Sequence, residues 1–342
     1  MIHTRTRTRL LSLFGLLSAL LFLVGCGQAQ AQANPPVTAQ ASQTATTDWP
    51  TRPVTIVVPF PAGGDTDFYA RTYAGFLTQL LGQPFEVVNV PGDAGTYGAT
   101  QVSEATPDGY TLLFYHTGNL FANVIAGATT LDHTNFAISN IANLDDSFTL
   151  IASSRMGITD PADFLQQARA TPGSFRVAAT VPGFTFFSLR SMEIAGGFSV
   201  TPVNVAGAGV MAQAIMDEEA DFAVGPHALF RSGIASGDLI PLMVNAERRN
   251  PNFRYVATVE DMGLAGSAMG SAYFFAFPLN TDDAILHRLS DTVAQIQFDE
   301  AYIRAIQEAF DARPFFLPTP AVSRFLAESW DALYAMSDYL SH

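Results

Sequence analysis

The sequence contains no lysine and only one cysteine in 342 residues. Its 17 basic residues are all arginines, so no lysine is available for a phosphate-binding P-loop. The single cysteine is Cys26, which leaves the rest of the chain without a disulfide, a thiolate metal site or a cysteine nucleophile. No G-x-S-x-G or H-E-x-x-H motif occurs, and no histidine has a His or Cys neighbour at metal-ligand spacing. We therefore expect no cofactor, no metal ion and no enzymatic activity.

Charge is also scarce, because Asp, Glu, Lys and Arg together make up 14% of the chain. The 31 acidic residues outnumber the arginines and give a formal net charge of −14. A net negative surface argues against nucleic acid or an anionic membrane as a partner. A negatively charged ligand would therefore need hydrogen-bond donors at direct contact.

Residues 1–25 have the features of a bacterial secretory signal, since Arg5, Arg7 and Arg9 precede an uncharged apolar run. This run is shorter than a typical transmembrane span. It ends in "LVGC", which resembles a bacterial lipobox and implies cleavage before Cys26 and lipidation of its sulfur. The alternative is ordinary cleavage further along, after "AQA", which would discard Cys26. Residues 26–48, rich in Gln, Ala and Thr, are predicted to be a disordered tether.

Strand-like and helix-like segments alternate from Trp49 onward. Continuous apolar runs such as "PVTIVVPF" (53–60) and "GYTLLFYH" (109–116) predict strands buried on both faces. The segment "DTDFYARTYAGFLTQLLG" (65–82) has helical spacing and stops at a glycine. A similar alternation recurs over residues 161–246. The pattern predicts an α/β protein with two units of similar size, each a mainly parallel sheet flanked by helices.

Three loops that follow predicted strands carry groups suited to binding an anion. The first, "PAGGDTD" (61–67), places two glycines before a helix, where exposed amides can donate to an anion. Asp65 or Asp67 is expected to cap this helix. The second is "NVPGDAGTYG" (89–98), and the third, "YHTGN" (115–119), adds hydroxyl, imidazole and amide groups. Tight-turn geometry alone is the alternative for each glycine pair. Because such loops meet at the carboxyl edge of a parallel sheet, together they predict a ligand site.

The order of these motifs resembles the Bug-type solute receptors, the extracytoplasmic binding proteins of tripartite tricarboxylate transporters. P-F-x-x-G-G-x-x-D is followed by L-G-Q-P, N-x-P-G and P-D-G-Y-T-L-L, and a looser likeness continues to the C-terminus. The resemblance implies a type II periplasmic-binding-protein fold, with two α/β lobes and a ligand cleft between them. Lobe 1 would comprise residues 49–149 and 273–342, and lobe 2 residues 150–272.

The resemblance also implies a small carboxylate ligand, held by amides and waters of the glycine loops. Carried over to this chain, the ligand-binding residues fall in five segments. They are Ala62, Gly63, Gly64 and Asp67; Pro91, Gly92 and Gly95; Thr117; Thr180 and Thr185; and Gly207 and Ala208. Closure of the cleft would bring Thr180 and Thr185 over the ligand.

This chain departs from the family pattern at several positions. The second loop, usually P-G-A-G-G, contains Asp93, which would either face solvent in a turn or contact an amino group of the ligand. Ala206 stands where many members have a basic residue, and Gly225 where an acidic residue is common. The loop "TVPGFTFF" (180–187) is unusually aromatic. Phe184 would either pack in the core or face the cleft, where it would favour a ligand with an apolar or aromatic body.

Other motifs have weaker functional interpretations. Residues 207–212 match the dinucleotide pattern G-x-G-x-x-A, but they lack the acidic residue expected about 20 positions later. His116 lies beside the expected cleft, where it could donate to a ligand oxygen, and the charge of the ligand would raise its pKa. Asp145 and Asp146 would form a solvated turn or, alternatively, part of a cation site.

Together these observations predict a bacterial lipoprotein in the periplasm or at the cell surface, attached to the membrane only through its lipid. It would capture a small organic acid, either a di- or tricarboxylate or an aromatic acid, by cleft closure. Acting as a monomer, it would deliver this ligand to the membrane subunits of a secondary transporter. Two alternatives stay open: a ligand-sensing partner of a membrane signalling receptor, and an enzyme on a similar two-lobed scaffold.

Overall fold

The computed structural model describes residues 48–334 and residue 337. The predicted signal peptide, Cys26 and the tether up to residue 47 lie outside these described residues. Within them the strands form two sheets, with helices packed against both. The α/β, two-lobed fold class is therefore confirmed. No helix in this part of the chain is long and apolar enough to cross a membrane.

The first sheet combines an N-terminal group of strands with one strand from late in the chain. Its strands are β1 Val54–Val58, β2 Phe85–Asn89, β3 Thr111–His116, β4 Phe136–Asp145 and β11 Ser271–Pro278. Their order across the sheet is β2-β1-β3-β11-β4. β1 pairs in parallel with β2 and β3, whereas β11 is antiparallel to both of its neighbours. Four strands of this sheet thus share one direction.

The second sheet is built from the middle of the chain. Its strands are β5 Phe148–Ser153, β6 Arg176–Ala179, β7 Thr201–Asn204, β8 Phe222–Pro226, β9 Leu239–Val244 and β10 Ala257–Thr258. Their order is β10-β9-β5-β8-β6-β7, and β5 alone runs against the others. The strand arrangement is therefore similar in the two sheets.

The chain passes between the sheets twice. It first crosses at residues 146–147, from β4 into β5, and returns through residues 259–270, from β10 into β11. Each sheet thus receives its one reversed strand directly from a crossing segment. The division into lobe 1 (49–149 and 273–342) and lobe 2 (150–272) stays a prediction for the lobes as folding units.

The helices follow most of the strands and cover both faces of each sheet. They are α1 Asp65–Leu81, α2 Thr96–Ser103, α3 Thr117–Ile125, α4 Pro161–Ala170, α5 Phe184–Gly196, α6 Met211–Met216, α7 Arg231–Ser236, α8 Asp283–Ile296, α9 Glu300–Phe310 and α10 Thr319–Tyr334. α1 illustrates why they form. Its residues Tyr69, Tyr73 and Leu77, spaced by four, are fully buried against β-sheet residues. It ends at Gly82, whose φ of 74° suits the left-handed C-cap position.

Four hydrophobic cores lie on the four sheet faces. On the first sheet, α1, α8 and α9 bury one face, while α2, α3 and α10 bury the other. On the second sheet, α4 and α5 cover one face and α6 the other. The core beneath α2, α3 and α10 also includes Phe148 of β5 and Phe184 and Phe187 of α5, so the two sheets share packing where α3 meets α5.

Candidate ligand-binding cleft

A cavity of about 200 Å³ lies where loops from the two sheets meet. We call it the inner chamber. It is lined by residues 60–66, 116, 119, 148, 180, 184–185 and 207–210. Nine predicted ligand-binding residues are among them: Ala62, Gly63, Gly64, His116, Thr180, Phe184, Thr185, Gly207 and Ala208. The carboxyl ends of β1, β3, β6 and β7 thus contribute to one cavity, although they belong to different sheets.

The second glycine loop lines a neighbouring space rather than the inner chamber. This outer chamber, of about 800 Å³, is lined by residues 59–61, 91–95, 128, 180–182 and 204–206. It contains the predicted residues Pro91, Gly92, Asp93 and Gly95, and it shares Phe60, Pro61 and Thr180 with the inner chamber. A ligand that contacts both glycine loops would therefore extend across these shared residues.

Asp67 shapes the first loop and lines neither chamber. Its buried carboxylate accepts hydrogen bonds from the Gly63 amide at 3.0 Å, from Arg71 Nε at 3.0 Å and from Asn89 Nδ2 at 2.9 Å. Burial alone would raise the pKa of Asp67, but these hydrogen bonds hold it below its ordinary value. The Gly63 amide is consequently engaged within the protein. Asp67 therefore positions the loop instead of facing the cavity.

The start of α1 carries no side-chain cap, contrary to the expectation for Asp65 or Asp67. The N-cap residue is Gly64, and no side chain bonds to this end of the helix. Instead, Asp65 Oδ2 accepts a hydrogen bond of 2.5 Å from the Tyr273 hydroxyl. The first amides of α1 therefore have no capping side chain, and residues 64–66, which carry them, line the inner chamber.

His116 ends β3 and caps α3 with its ring. Its Nδ1 accepts hydrogen bonds from the Asn119 amide at 3.3 Å and from Ser271 Oγ at 2.9 Å. Since Nδ1 accepts, the neutral ring carries its proton on Nε2, which makes that atom a donor. Burial lowers the pKa of His116 to about 4, against a weaker opposite effect of the Asp65 charge. The ring also stacks on Phe60, with centroids 5.3 Å apart.

Thr117, the residue after His116, lines neither chamber. It is buried, and its Oγ1 accepts a hydrogen bond of 3.1 Å from the Ala272 amide. This bond joins the first residue of α3 to the start of β11. Thr117 thus fixes the position of α3 behind the chamber.

The second sheet contributes hydroxyl groups and one aromatic ring. Thr185 Oγ1 accepts a hydrogen bond of 2.9 Å from the Thr180 amide, which fixes both threonines at the chamber wall. Phe184 is 1% exposed and packs edge-on against Phe148 at 4.7 Å. Phe184 thus combines both roles weighed for it, because it packs in the core and also lines the chamber.

Asn119 was not among the predicted site residues, although it occupies a central position. Its Oδ1 accepts a hydrogen bond of 2.7 Å from the Phe184 amide, and its Nδ2 donates to the Ala94 carbonyl at 2.9 Å. The first bond joins α3 to α5, and the second holds the second glycine loop. The polar loop "YHTGN" is the sequence signal that could have identified it.

The two sheets also approach each other at Gly209. A Cβ added there would lie 3.7 Å from Gly63 O and 3.7 Å from Gly64 Cα. These are ordinary van der Waals distances, so the two loops meet beside the inner chamber without requiring glycine at position 209. The helix that follows "NVAGAG", α6, has only six residues.

Asp93 faces solvent, as the turn interpretation predicts. It is exposed and has a φ of 47°, and the next residue, Ala94, also has a positive φ. The Ala94 carbonyl accepts hydrogen bonds from Asn119 and Asn123. The loop is thus fixed through its backbone, while the Asp93 carboxylate remains at the edge of the outer chamber.

The solvated-turn interpretation is wrong for Asp145, because this residue is 5% exposed, whereas Asp146 is exposed. Asp145 Oδ1 accepts a 2.7 Å hydrogen bond from the Ser147 amide. Burial raises the pKa of Asp145 to about 7. Among the described residues, no group of three His, Cys, Asp or Glu side chains is placed to hold a metal.

Known proteins resemble this chain over nearly its whole length. A family model described as "Tripartite tricarboxylate transporter family receptor" matches residues 69–335. Protein BugT of Bordetella pertussis is 25% identical over 323 residues, which cover 91% of this chain and 94% of BugT. The structure of R. palustris Rpa4515 with adipate has a TM-score of 0.78 and 23% identity, covering 86% of this chain and 98% of that one. MatC (Rpa3494) from Rhodopseudomonas palustris with bound malate has a TM-score of 0.75 and 23% identity, covering 85% and 100%.

Proposed function

This chain belongs to the tripartite tricarboxylate transporter receptor family, and we propose that it captures a small carboxylate in the inner chamber. Receptors of this family bind solutes and are not enzymes, so the enzyme alternative is set aside. The proposal extends to delivery of the carboxylate to the membrane subunits of a transporter.

The observation that carries the carboxylate assignment is the convergence of helix N-termini on one cavity. Residues 65–66 of α1, residue 119 of α3 and residues 184–185 of α5 all line the inner chamber. Helix N-termini carry a partial positive charge that favours an anion. The Asn119 and Phe184 amides already donate to His116 Nδ1 and Asn119 Oδ1, so direct donation to the ligand is assigned to the amides of residues 64–66 at the uncapped start of α1. Such donors act at contact, while the distant negative charges of the protein are screened over about 8 Å at physiological salt.

Two neutral groups complement these amides. His116 Nε2–H is available as a donor, since Nδ1 is occupied by Asn119 and Ser271. The Thr185 hydroxyl can donate as well, because its oxygen accepts from the Thr180 amide. Proteins of the same fold whose structures contain adipate and malate support a carboxylate as the ligand class.

Attachment to a membrane forms the second part of the proposal. We infer that residues 1–25 are removed and that Cys26 carries lipid, so that residues 27–48 tether the receptor near its transporter. Mass spectrometry of the mature protein would test this. A diacylated N-terminal Cys26 is expected, whereas an unlipidated N-terminus after "AQA" would refute the anchor.

A carboxylate panel tests the ligand class directly. We expect at least one small carboxylate to raise the melting temperature, because a ligand at 100 times its Kd adds about 2.7 kcal/mol to the free energy of unfolding. Stabilisation by sugars or amines but by no carboxylate would refute the proposal.

A variant that fills the inner chamber tests its location. Ala208 is half-buried in the chamber wall, so Ala208→Phe is expected to abolish the carboxylate-dependent shift. Ala170→Phe, at an exposed position at the end of α4, is the matched control and should keep the full shift. Equal shifts in both variants would show that the ligand binds elsewhere.

A further inference from the structure

The inner chamber contains a carboxylate of its own, from Asp65. We propose that Asp65 binds an ammonium group on the ligand, so that the preferred ligand is an α-amino acid rather than a simple di- or tricarboxylate. This inference rests on the proposed function and narrows its substrate class.

The charged residues that line the inner chamber favour a ligand with an ammonium group. Among the described residues that line it, no arginine occurs, and Asp65 is the one carboxylate. His116 is buried and accepts two hydrogen bonds at Nδ1, which fits a neutral ring. A dicarboxylate would therefore place two negative charges beside a third without a cation. A ligand with one carboxylate and one ammonium group would instead leave one unit of negative charge, facing three helix N-termini.

The second step is the position of Asp65 in the fold. Asp65 is the first residue of α1, immediately after the N-cap Gly64. Its side chain therefore lies next to the amides that are proposed to hold the ligand carboxylate. Because the two binding elements are adjacent, the ligand must carry its two charges close together. An α-amino acid has this arrangement, since both charged groups are bonded to one carbon.

The remaining hydrogen-bond capacity of Asp65 fits this role. Tyr273 donates to Oδ2 at 2.5 Å and holds the carboxylate in place. The Thr66 hydroxyl lies 3.5 Å from Oδ1, a long contact that leaves this oxygen able to accept from a ligand. A carboxylate held on one oxygen and open on the other is suited to an ammonium donor.

Aromatic residues define the rest of the ligand. Phe60, Phe148 and Phe184 line the same chamber. Apolar walls of this kind favour an apolar or aromatic side chain on the amino acid. Phenylalanine and leucine are therefore suitable probes.

Matched pairs of acids test the inference by isothermal titration calorimetry at pH 7. The probes are phenylalanine with 3-phenylpropionate, leucine with 4-methylpentanoate, and glutamate with glutarate. For at least one pair, we expect the amino acid to bind about tenfold to a hundredfold more tightly, as a charge-assisted hydrogen bond implies. Equal or tighter binding of the deaminated acids would overturn the inference while leaving the carboxylate proposal intact. Failure of every acid in both series to bind would overturn the carboxylate proposal as well.

The variant Asp65→Asn tests whether Asp65 causes the tighter binding of the amino acid over its deaminated acid. The amide still accepts from Tyr273, so the variant should fold, and the preference for the amino acid should fall to about unity. Asp283→Asn is the matched control, because Asp283 is also the first residue of a helix, α8, but is exposed and lies outside both chambers. It should keep the wild-type preference.

The alternatives have distinct outcomes. If Asp65→Asn retains the preference, Asp65 does not bind the ammonium group and the inference is wrong. If Asp65→Asn does not fold, as judged by circular dichroism, Asp65→Ser is measured instead, and a retained preference there has the same meaning.

Discussion

Replacing Gly118 by alanine is expected to prevent the cleft from closing while leaving both sheets folded. Gly118 lies in α3, next to the first sheet, and faces Phe184 of α5. A Cβ built on Gly118 would lie 2.4 Å from Phe184 Cγ and 2.5 Å from Phe184 Cδ2. Carbon atoms pack at about 3.5–4.0 Å, so the two helices would have to separate by about 1 Å at this point.

Phe184 has little room to avoid the added methyl group. It is 1% exposed, and the Phe148 ring packs against it at 4.7 Å. Overpacking of this kind costs about 1–3 kcal/mol, and opening of the ligand-free cleft would relieve it. This free energy should therefore weaken ligand binding, and we expect the affinity of Gly118→Ala for the carboxylate to be about 5- to 150-fold lower than that of the wild type. In the open form, alanine at a helical position should be at least as favourable as glycine.

The assay combines calorimetry with small-angle X-ray scattering. We expect Gly118→Ala to bind the best carboxylate of the panel more weakly and to show a smaller ligand-induced decrease in radius of gyration. The double variant Gly118→Ala/Phe184→Ala should recover part of the affinity, because alanine removes the Cγ and Cδ2 atoms that clash. Wild-type affinity in Gly118→Ala would refute this reasoning. A melting temperature lowered by several degrees without ligand would also refute it, since Gly118 would then be a core position.

Three further changes address stability and its dependence on pH, each measured by urea unfolding. Gly75→Ala, at an exposed helical position with no atom within 4 Å of the new Cβ, should raise the free energy of unfolding by about 0.5–1 kcal/mol, and a decrease would contradict the open environment. Tyr73→Phe should lower the free energy of unfolding by about 1–3 kcal/mol. The buried Tyr73 hydroxyl donates to the Ala142 carbonyl at 2.5 Å and contacts the Tyr302 hydroxyl, and the variant loses both contacts. An unchanged free energy of unfolding would contradict this, since Ala142 and Tyr302 would then have found other hydrogen bonds. Burial raises the pKa of Asp145 to about 7, so the folded protein retains a proton that the unfolded chain releases near pH 4. Wild-type stability should consequently fall between pH 4 and pH 7 relative to Asp145→Asn, and parallel pH profiles of the two proteins would contradict the shift.

Segments with a clear local pattern were predicted well from sequence. The run "PVTIVVPF" is buried and β-branched, and it forms β1; the helix after it ends at Gly82, as the pattern indicates. These features depend on residues within a few positions of one another. The alternation indicated two α/β units, and the resemblance to a known family added the assignment of the last strand and helices to the first lobe and the cleft between the lobes.

The consecutive strands β4 and β5 were not assigned, and for β4 the composition explains why. β4 buries polar residues, including Ser139, Asn140 and Asn143, so it lacks a continuous apolar run. Ser139 Oγ donates to the Leu286 carbonyl, 147 residues away. Among the described residues, the side-chain amide of Asn140 has no hydrogen-bond partner. Such a strand is stabilised by contacts that no local pattern contains.

The residues of the candidate site also fall into two groups, those marked by local sequence and those positioned by contacts with distant residues. Glycine loops were identified because their sequence marks the backbone geometry directly, and nine of the predicted residues line one chamber. The side chains that organise the chamber were assigned less well, because their partners lie far along the chain. Asp65 or Asp67 was expected to cap α1, yet neither does, and Asp65 bonds to Tyr273, 208 positions later. Asp67 was expected to contact the ligand, yet it bonds to Gly63, Arg71 and Asn89.

Asn119 makes both a short-range and two long-range hydrogen bonds. Its backbone amide bonds to His116 Nδ1, a contact over three residues, whereas its side chain reaches Ala94 and Phe184, 25 and 65 residues away. The short-range bond sets the tautomer that makes His116 Nε2 a donor. One long-range bond holds the second glycine loop, and the other joins the two sides of the cleft. A single amide side chain thus links the donor, the outer chamber and α5, so the preorganisation of the site depends on this one residue.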